Sequence, residues 1–394
     1  MPCIDIANRT AFRRLYAGQR FWSDQAATMA PNVLVLGGVG FIGRNFVTHL
    51  VENNLADSIR VADKIVPSIA YLSDRVKKAF DDKRVEFRQA NLVNPAFTDK
   101  IFTREDGKQF DYVFNLAAET KYGQSEEVYD EKVYQLSLCV AKEAAKRGVK
   151  VFVEVSTAQV YEADKKPSAE ESKVKPWTLI AKYKSKAEAD IKKIPGLNLV
   201  IVRPAIVYGP GDILGLTPRL IMGVVYRHLN EEMKLLWTKD LKINTVHVND
   251  VIRALWWVAA SKDEQGGRSN PVKAGGEVYN LADRGDTDQG AINTYIEAIF
   301  GIATGFQGTM ISQFAKLNLE SVTEDVNDKH LQPWSDLCKQ GGVQNTPLTP
   351  YLDKELLKDN ALSIDGSRIE KEMDFHYTVP QVTEAGLREI VIII

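Results

Sequence analysis

Four glycines and one aspartate carry the strongest chemical signal in this chain. Gly37, Gly38, Gly40 and Gly43 stand in the segment GGVGFIG, and Asp63 follows about twenty residues after the last of them. Glycines at this spacing let a backbone turn tightly and approach a pyrophosphate. Phe41 and Ile42 then open a helix, whose free N–H groups and positive dipole end attract phosphate. Asp63 can accept hydrogen bonds from both hydroxyls of a ribose. The chemistry is dinucleotide binding, and the acid favours NAD over NADP because a 2′-phosphate would meet a carboxylate. Arg60 and Lys64 lie close enough to soften that preference. The plainer alternative is a glycine-rich turn with no ligand.

The flanking elements place this turn. The apolar run 33–36 suits a buried parallel strand, and Phe46, Val47 and Leu50 continue the helix at its own period. The run 58–62 reads as the next strand. Further strands are expected at 84–89, 112–116, 150–155 and 197–202, and helices at 125–147 and 177–193. The alternation predicts an α/β fold, a doubly wound parallel Rossmann sheet with a smaller C-terminal substrate lobe. The chain divides into an N-terminal extension (1–30), an NAD-binding part (31–204) and a substrate lobe (205–394). Late Rossmann elements at 246–260 and 277–283 interleave with that lobe. Segment 261–276 is polar and glycine-rich and reads as a surface loop.

Composition narrows the function classes. The net charge is -2, with 50 basic and 52 acidic residues and no basic stripe, so no nucleic-acid partner is expected. Cys3, Cys139 and Cys338 are far apart, which suits a reducing compartment and gives no metal spacing. No apolar run reaches the length of a transmembrane segment. In the first thirty residues Arg9, Arg13, Arg14 and Arg20 mix with Phe12, Leu15, Tyr16, Phe21 and Trp22, as in a mitochondrial presequence, although Asp5 and Asp24 oppose that reading. A tail, an interaction arm or a later start at Met29 are the other readings. The expected location is cytoplasmic, with mitochondrial as the alternative.

Five motifs in sequence order carry a family resemblance. They are the glycine segment 37–43; Asp111-Tyr112-Val113-Phe114-Asn115-Leu116-Ala117-Ala118; Ser156-Thr157-Ala158-Gln159-Val160-Tyr161; Arg203-Pro204-Ala205-Ile206-Val207-Tyr208-Gly209-Pro210-Gly211; and Val246-His247-Val248-Asn249-Asp250-Val251. From 33 to about 389 the chain resembles the extended short-chain dehydrogenase/reductase superfamily, in its NAD-dependent epimerase/dehydratase branch. The resemblance implies NAD held by Gly37, Gly40, Phe41, Ile42, Gly43, Asp63, Asn91, Leu92, Leu116, Ala117, Ala118, Lys186, Arg203 and Pro204. It implies that Thr157 orients the substrate oxygen, and that His247 and Asp250 anchor the second lobe. Asn91 stands where the family usually has Asp, and Tyr134 where it often has Asn.

The superfamily's chemistry uses a Tyr and a Lys four residues apart on one helix. The Lys binds the nicotinamide ribose and lowers the tyrosine pKa, and the Tyr exchanges a proton with the substrate oxygen. Here Ser185-Lys186 matches the family's Ser-Lys pair, which puts Lys182 at the tyrosine position and displaces Tyr183 by one residue. On a regular helix that step turns Tyr183 by about 100°. Tyr183 is therefore the expected acid/base only if the helix is overwound or bulged, and Lys182 is the substitute otherwise. The plainer reading makes Lys182, Lys184 and Lys186 a solvated face.

Two functions stay open on the sequence. One is an oxidoreductase of epimerase/dehydratase type, acting on a hydroxyl of a nucleotide sugar or related alcohol. The other is a catalytically degenerate NAD-binding protein serving as a sensor, scaffold or subunit of a larger complex. Arg219, Arg227, His228 and Lys234 could meet a diphosphate, although surface roles are the simpler reading. A homodimer through the helices at 125–147 and 177–193 is a further expectation.

Overall fold

The computed structural model describes residues 30–264 and 276–393, the last by its backbone alone. The expected N-terminal extension with its arginines lies outside the described residues, as does 265–275 of the expected loop. Residues 261–264 of that loop are instead the end of a helix.

Seven strands form one parallel sheet: β1 (Asn32–Leu36), β2 (Ser58–Asp63), β3 (Val85–Gln89), β4 (Tyr112–Asn115), β5 (Val151–Val155), β6 (Leu199–Pro204) and β7 (Glu277–Leu281). Their order is β7-β6-β5-β4-β1-β2-β3, so the chain reverses its winding between β1 and β4. Ligands of such sheets sit in the crevice beyond the strand ends at that reversal. Four helices matter for the site. They are α1 (Phe41–Glu52), α2 (Glu126–Tyr129, Asp130–Gln135 and Leu136–Lys146 in succession), α3 (Leu179–Ile191) and α4 (Val248–Glu264). The middle piece of α2 has π-helical geometry.

The sheet is covered on both faces, which is why β1 reads as an apolar run after Asn32, whereas the edge strand β3 keeps polar, half-exposed residues. Val33 and Val35 share one core with Phe46, Val47 and Leu50 of α1 and Val251, Leu255 and Val258 of α4. Leu34 and Leu36 point the other way, into a core with Leu136, Val140 and Ala144 of α2 and Ala187 and Ile191 of α3. Full burial of each such leucine or valine contributes about 1.5–3 kcal/mol relative to exposure. The expected sixth strand starts two residues late and runs on to Pro204, which pairs with Leu281 of β7.

A separate core of Leu220, Tyr226, Ile292, Ile296, Phe300 and Leu387 gathers the helices Thr217–Leu229, Gln289–Phe300 and Glu384–Ile393. Asp250, wholly buried in the first turn of α4, accepts from Thr378 N at 2.9 Å and Val379 N at 2.8 Å. That anchors the C-terminal segment beneath the sheet.

Candidate active site

The glycine turn links β1 to α1 at the winding reversal. Gly37 has φ +75°, and a Cβ there would lie 2.6 Å from Ala117 N, so the turn presses directly on the loop after β4. A Cβ at Gly43 would lie 2.3 Å from Gly37 O, which lets α1 start against the turn itself. Gly40 is different: its added Cβ would meet only Gly37 O at 3.3 Å, leaving the space above it clear. Gly40 caps α1 with no side-chain hydrogen bond, so the first N–H groups, at Phe41 and Ile42, face that space as donors. Asp63, buried at the end of β2, accepts from Val39 N and from Ile65 N, each at 3.0 Å. Its carboxylate therefore fixes the turn. An open, donor-lined turn beside a carboxylate fits the pyrophosphate and adenosine ribose of NAD.

Other expected cofactor residues divide. Asn91 is exposed at the end of β3, whereas Leu92 packs into the core of the sheet. Leu116, Ala117 and Ala118 line the loop against which Gly37 rests, half-buried. Arg203 is committed elsewhere: its guanidinium spans both carboxylate oxygens of Glu188 and donates to Tyr161 Oη at 2.7 Å. It ties β6 to α3 inside the protein, at 4% exposure, and Pro204 is buried beside it.

Beyond the end of β5, Thr157 is half-buried and accepts from Gln159 N at 3.2 Å. The Gln159 amide meets Tyr122 Oη at 3.1 Å and Thr178 Oγ1 at 3.0 Å. Thr178 in turn caps α3 by accepting from Ala181 N at 3.1 Å. Burial pushes the Tyr122 phenol up to about 12.

α3 is a regular helix, and this decides which lysine reaches the site. Its buried positions include Ile180, Lys184, Ala187, Glu188 and Ile191, a stripe at helical spacing. Lys184 Nζ donates to Val155 O at 2.6 Å, at the end of β5, and lies 3.7 Å from Glu154 Oε1. Glu154 is fully buried and also accepts from Asn115 Nδ2 at 2.7 Å and Ser137 Oγ at 2.8 Å. Its desolvation raises the carboxyl pKa, against the pull of Lys184.

Of the expected trio, Lys182 and Lys186 are exposed, and Tyr183, buried in one cluster with Ile180, turns its hydroxyl away from the β5 edge. Lys182 Nζ and Tyr183 Oη both donate to Glu126, at 2.7 and 2.8 Å, and Lys186 Nζ meets Asp130 at 2.8 Å over the Tyr134 ring. The bond to Glu126 holds the Tyr183 phenol up at about 12. Neither Lys182, Tyr183 nor Lys186 comes to the β5 edge, because no bulge in α3 rotates them there. The residue that does, Lys184, was missed in the sequence. The signal for it was a lysine and a glutamate four apart inside an otherwise apolar stripe. The residue four before Lys184 is Ile180, which packs in one apolar cluster with Ala118 and Tyr122. Where the resemblance implies a tyrosine, the chain has a hydrocarbon.

Comparisons with known proteins agree with this architecture. The profile of the NAD dependent epimerase/dehydratase family matches residues 33–282. An uncharacterized protein of Schizosaccharomyces pombe is 22% identical over 290 residues, 67% of this chain and 80% of that protein. UDP-glucose 4-epimerase 2 of Arabidopsis thaliana is 33% identical over 152 residues, 37% of this chain and 42% of the enzyme, so less than half of that enzyme is matched. Among solved structures, the dTDP-glucose 4,6-dehydratase DesIV of Streptomyces venezuelae, crystallised with NAD, superposes with a TM-score of 0.64 at 21% identity, over 92% of this chain and 96% of its own. MoeE5, solved with UDP-glucose and NAD, gives 0.61 at 17% identity, over 92% and 98%. With the family profile covering well over half its length, the chain belongs to the NAD-dependent epimerase/dehydratase family.

Proposed function

We propose that this protein is an NAD-dependent oxidoreductase that acts on a hydroxyl of a nucleotide sugar or a closely related alcohol. The observation that carries the reading is the alignment of three features along one sheet edge: the open glycine turn, Asp63, and the buried Lys184 bonded to Val155 O, two residues before Thr157. Bound NAD supplies a hydride acceptor. The N–H groups of Phe41 and Ile42 hold its pyrophosphate and Asp63 its adenosine ribose. Lys184 has N–H groups left beyond the one used by Val155 O, and these hold the nicotinamide ribose. Thr157 receives and orients the substrate oxygen. Lys184 takes the role first given to Lys186. The nucleotide-sugar class rests on the family and on relatives whose names carry UDP-glucose and dTDP-glucose.

The test is a titration of NAD against the purified chain, then turnover with UDP-glucose and dTDP-glucose followed by nicotinamide absorbance and product analysis. NAD binding that outcompetes NADP, with turnover of one sugar nucleotide, is the expected result. Binding of NAD with no sugar nucleotide turned over would remove the substrate class. A homodimer through α2 and α3 belongs to the same reading. Light scattering of the intact chain checks it.

A further inference from the structure

Counted from Lys184, the tyrosine position of the resemblance holds Ile180, and the C-terminal segment brings a carboxylate to the residue beside it. We propose that Glu355 is the acid/base residue for the substrate hydroxyl, an inference that rests on the reading under Proposed function. Its Oε1 accepts from Leu179 N at 2.9 Å, at the first residue of α3 and next to Ile180. Its Oε2 is buried and has no hydrogen-bond partner among the described residues. A buried carboxylate oxygen left bare costs free energy, and a substrate hydroxyl is the kind of group that would satisfy it.

Glu355 is held in place from both sides. Asn327 clamps Leu352 by two hydrogen bonds of 2.9 Å, and Trp237 Nε1 donates to Leu357 O at 2.8 Å. Between them, buried Asp353 accepts from Glu355 N at 2.8 Å and sits against Gly123, the neighbour of Tyr122. The turn thus lies over the corner formed by Tyr122 and the start of α3. The nearest competitor for the role is Tyr122 itself. Its hydroxyl is already engaged by Gln159, and its pKa is moved away from neutrality. Burial moves the Glu355 carboxyl the useful way, up from its ordinary value. The charged and titratable groups around it are Asp353, Lys354 and Lys358 on its own segment, with Tyr122 and Tyr129 across from it.

The step balances on these groups. The carboxylate of Glu355 takes the hydroxyl proton as the carbinol C–H bond gives its electron pair, as hydride, to the nicotinamide. A C=O bond forms, and Glu355 ends protonated, ready to return the proton in a later reduction.

Glu355→Gln is the sharp test, because glutamine keeps the acceptor for Leu179 N–H and nearly the same volume. With NAD-loaded protein and whichever of UDP-glucose or dTDP-glucose wild type turns over, kcat should fall by about a hundredfold or more. The acid limb of the wild-type pH profile should vanish. Calorimetry in buffers of different ionisation heat reads the second signal: proton exchange on sugar-nucleotide binding, present in wild type and absent in the variant. Glu355→Ala should regain activity with added formate, which a merely structural residue would not. An unchanged kcat and pH profile in Glu355→Gln, with wild type active, overturns the assignment and leaves the proposed function standing. A wild-type protein that binds NAD but neither binds nor turns over a sugar nucleotide overturns both.

Discussion

Replacing Lys184 by methionine should destabilise the protein in a strongly pH-dependent way. The side chain is 7% exposed, and methionine replaces most of its hydrocarbon volume. What is lost is the cation 3.7 Å from Glu154, a carboxylate with no exposure of its own. Asn115 and Ser137 still donate to Glu154 but bring no charge. The bare carboxylate can escape only by taking a proton. For a carboxyl with an ordinary unfolded pKa of about 4.3, protonation costs about 3.7 kcal/mol at pH 7 and about 1 kcal/mol at pH 5. That sets the ceiling of the loss, within the about 3–5 kcal/mol typical of a broken buried pair. The sign follows from the raised pKa: the folded state holds the proton more tightly than the unfolded chain, so stability falls as pH rises from the unfolded pKa towards the folded one. Urea unfolding of wild type and Lys184→Met at both pH values measures the difference. Adding Glu154→Gln should recover most of the loss at pH 7. A deficit that is equal at both pH values, or one the double variant does not relieve, would refute the idea that Lys184 is held as the counter-charge of Glu154.

Three further outcomes are expected. Gly37→Ala places a Cβ 2.6 Å from Ala117 N at φ +75°, so beyond the about 1–2 kcal/mol of left-handed strain it should push the turn off the β4 loop and abolish NAD binding by calorimetry. Asp63→Ala removes the acceptor of two backbone N–H groups and of the ribose, and should weaken NAD by about 10–100-fold while narrowing its lead over NADP. His330 is buried and burial holds its pKa down at about 4. The unfolded chain therefore binds a proton first as pH falls below about 6.5. Wild type should lose about 2 kcal/mol more stability between about pH 7 and pH 5 than His330→Gln, measured by urea midpoints.

The sheet and the cofactor turn were legible because their signals are local. A strand buried on both faces is an apolar run, and the turn needs glycines wherever its backbone meets the β4 loop, as at Gly37. Asn91, Leu116, Ala117 and Ala118 came with the family resemblance, and they stand just past the ends of β3 and β4. The lysine register was not legible. Lys182, Lys184 and Lys186 alternate in sequence, and only the facing of α3 tells them apart. That facing is fixed by partners far away in the chain: Val155 and Glu154 for Lys184, Glu126 for Lys182, Asp130 for Lys186. A motif match anchored on Ser185-Lys186 therefore names a lysine two residues from the one that α3 turns to the β5 edge. That facing is signalled by Glu188, since an acid on an apolar stripe demands a buried partner, and Arg203 is that partner.

The same logic explains why the sequence also hid what stands opposite Lys184. With Lys184 at the β5 edge, the position a tyrosine would hold belongs to Ile180, and the lysine's second task, lowering a phenol's pKa, has no recipient. Tyr183 cannot take it over, because its hydroxyl is bonded to Glu126 on the outer face and its pKa moves upward. A replacement must come from outside the motif, and the only constraint on it is spatial. Glu355 meets that constraint from 176 positions beyond Leu179, on a segment that no local pattern ties to the Rossmann core. Its oxygen, without a partner among the described residues, and the hydrocarbon of Ile180 are complementary: a polar group that a hydroxyl would satisfy lies beside the place where the resemblance implies a tyrosine.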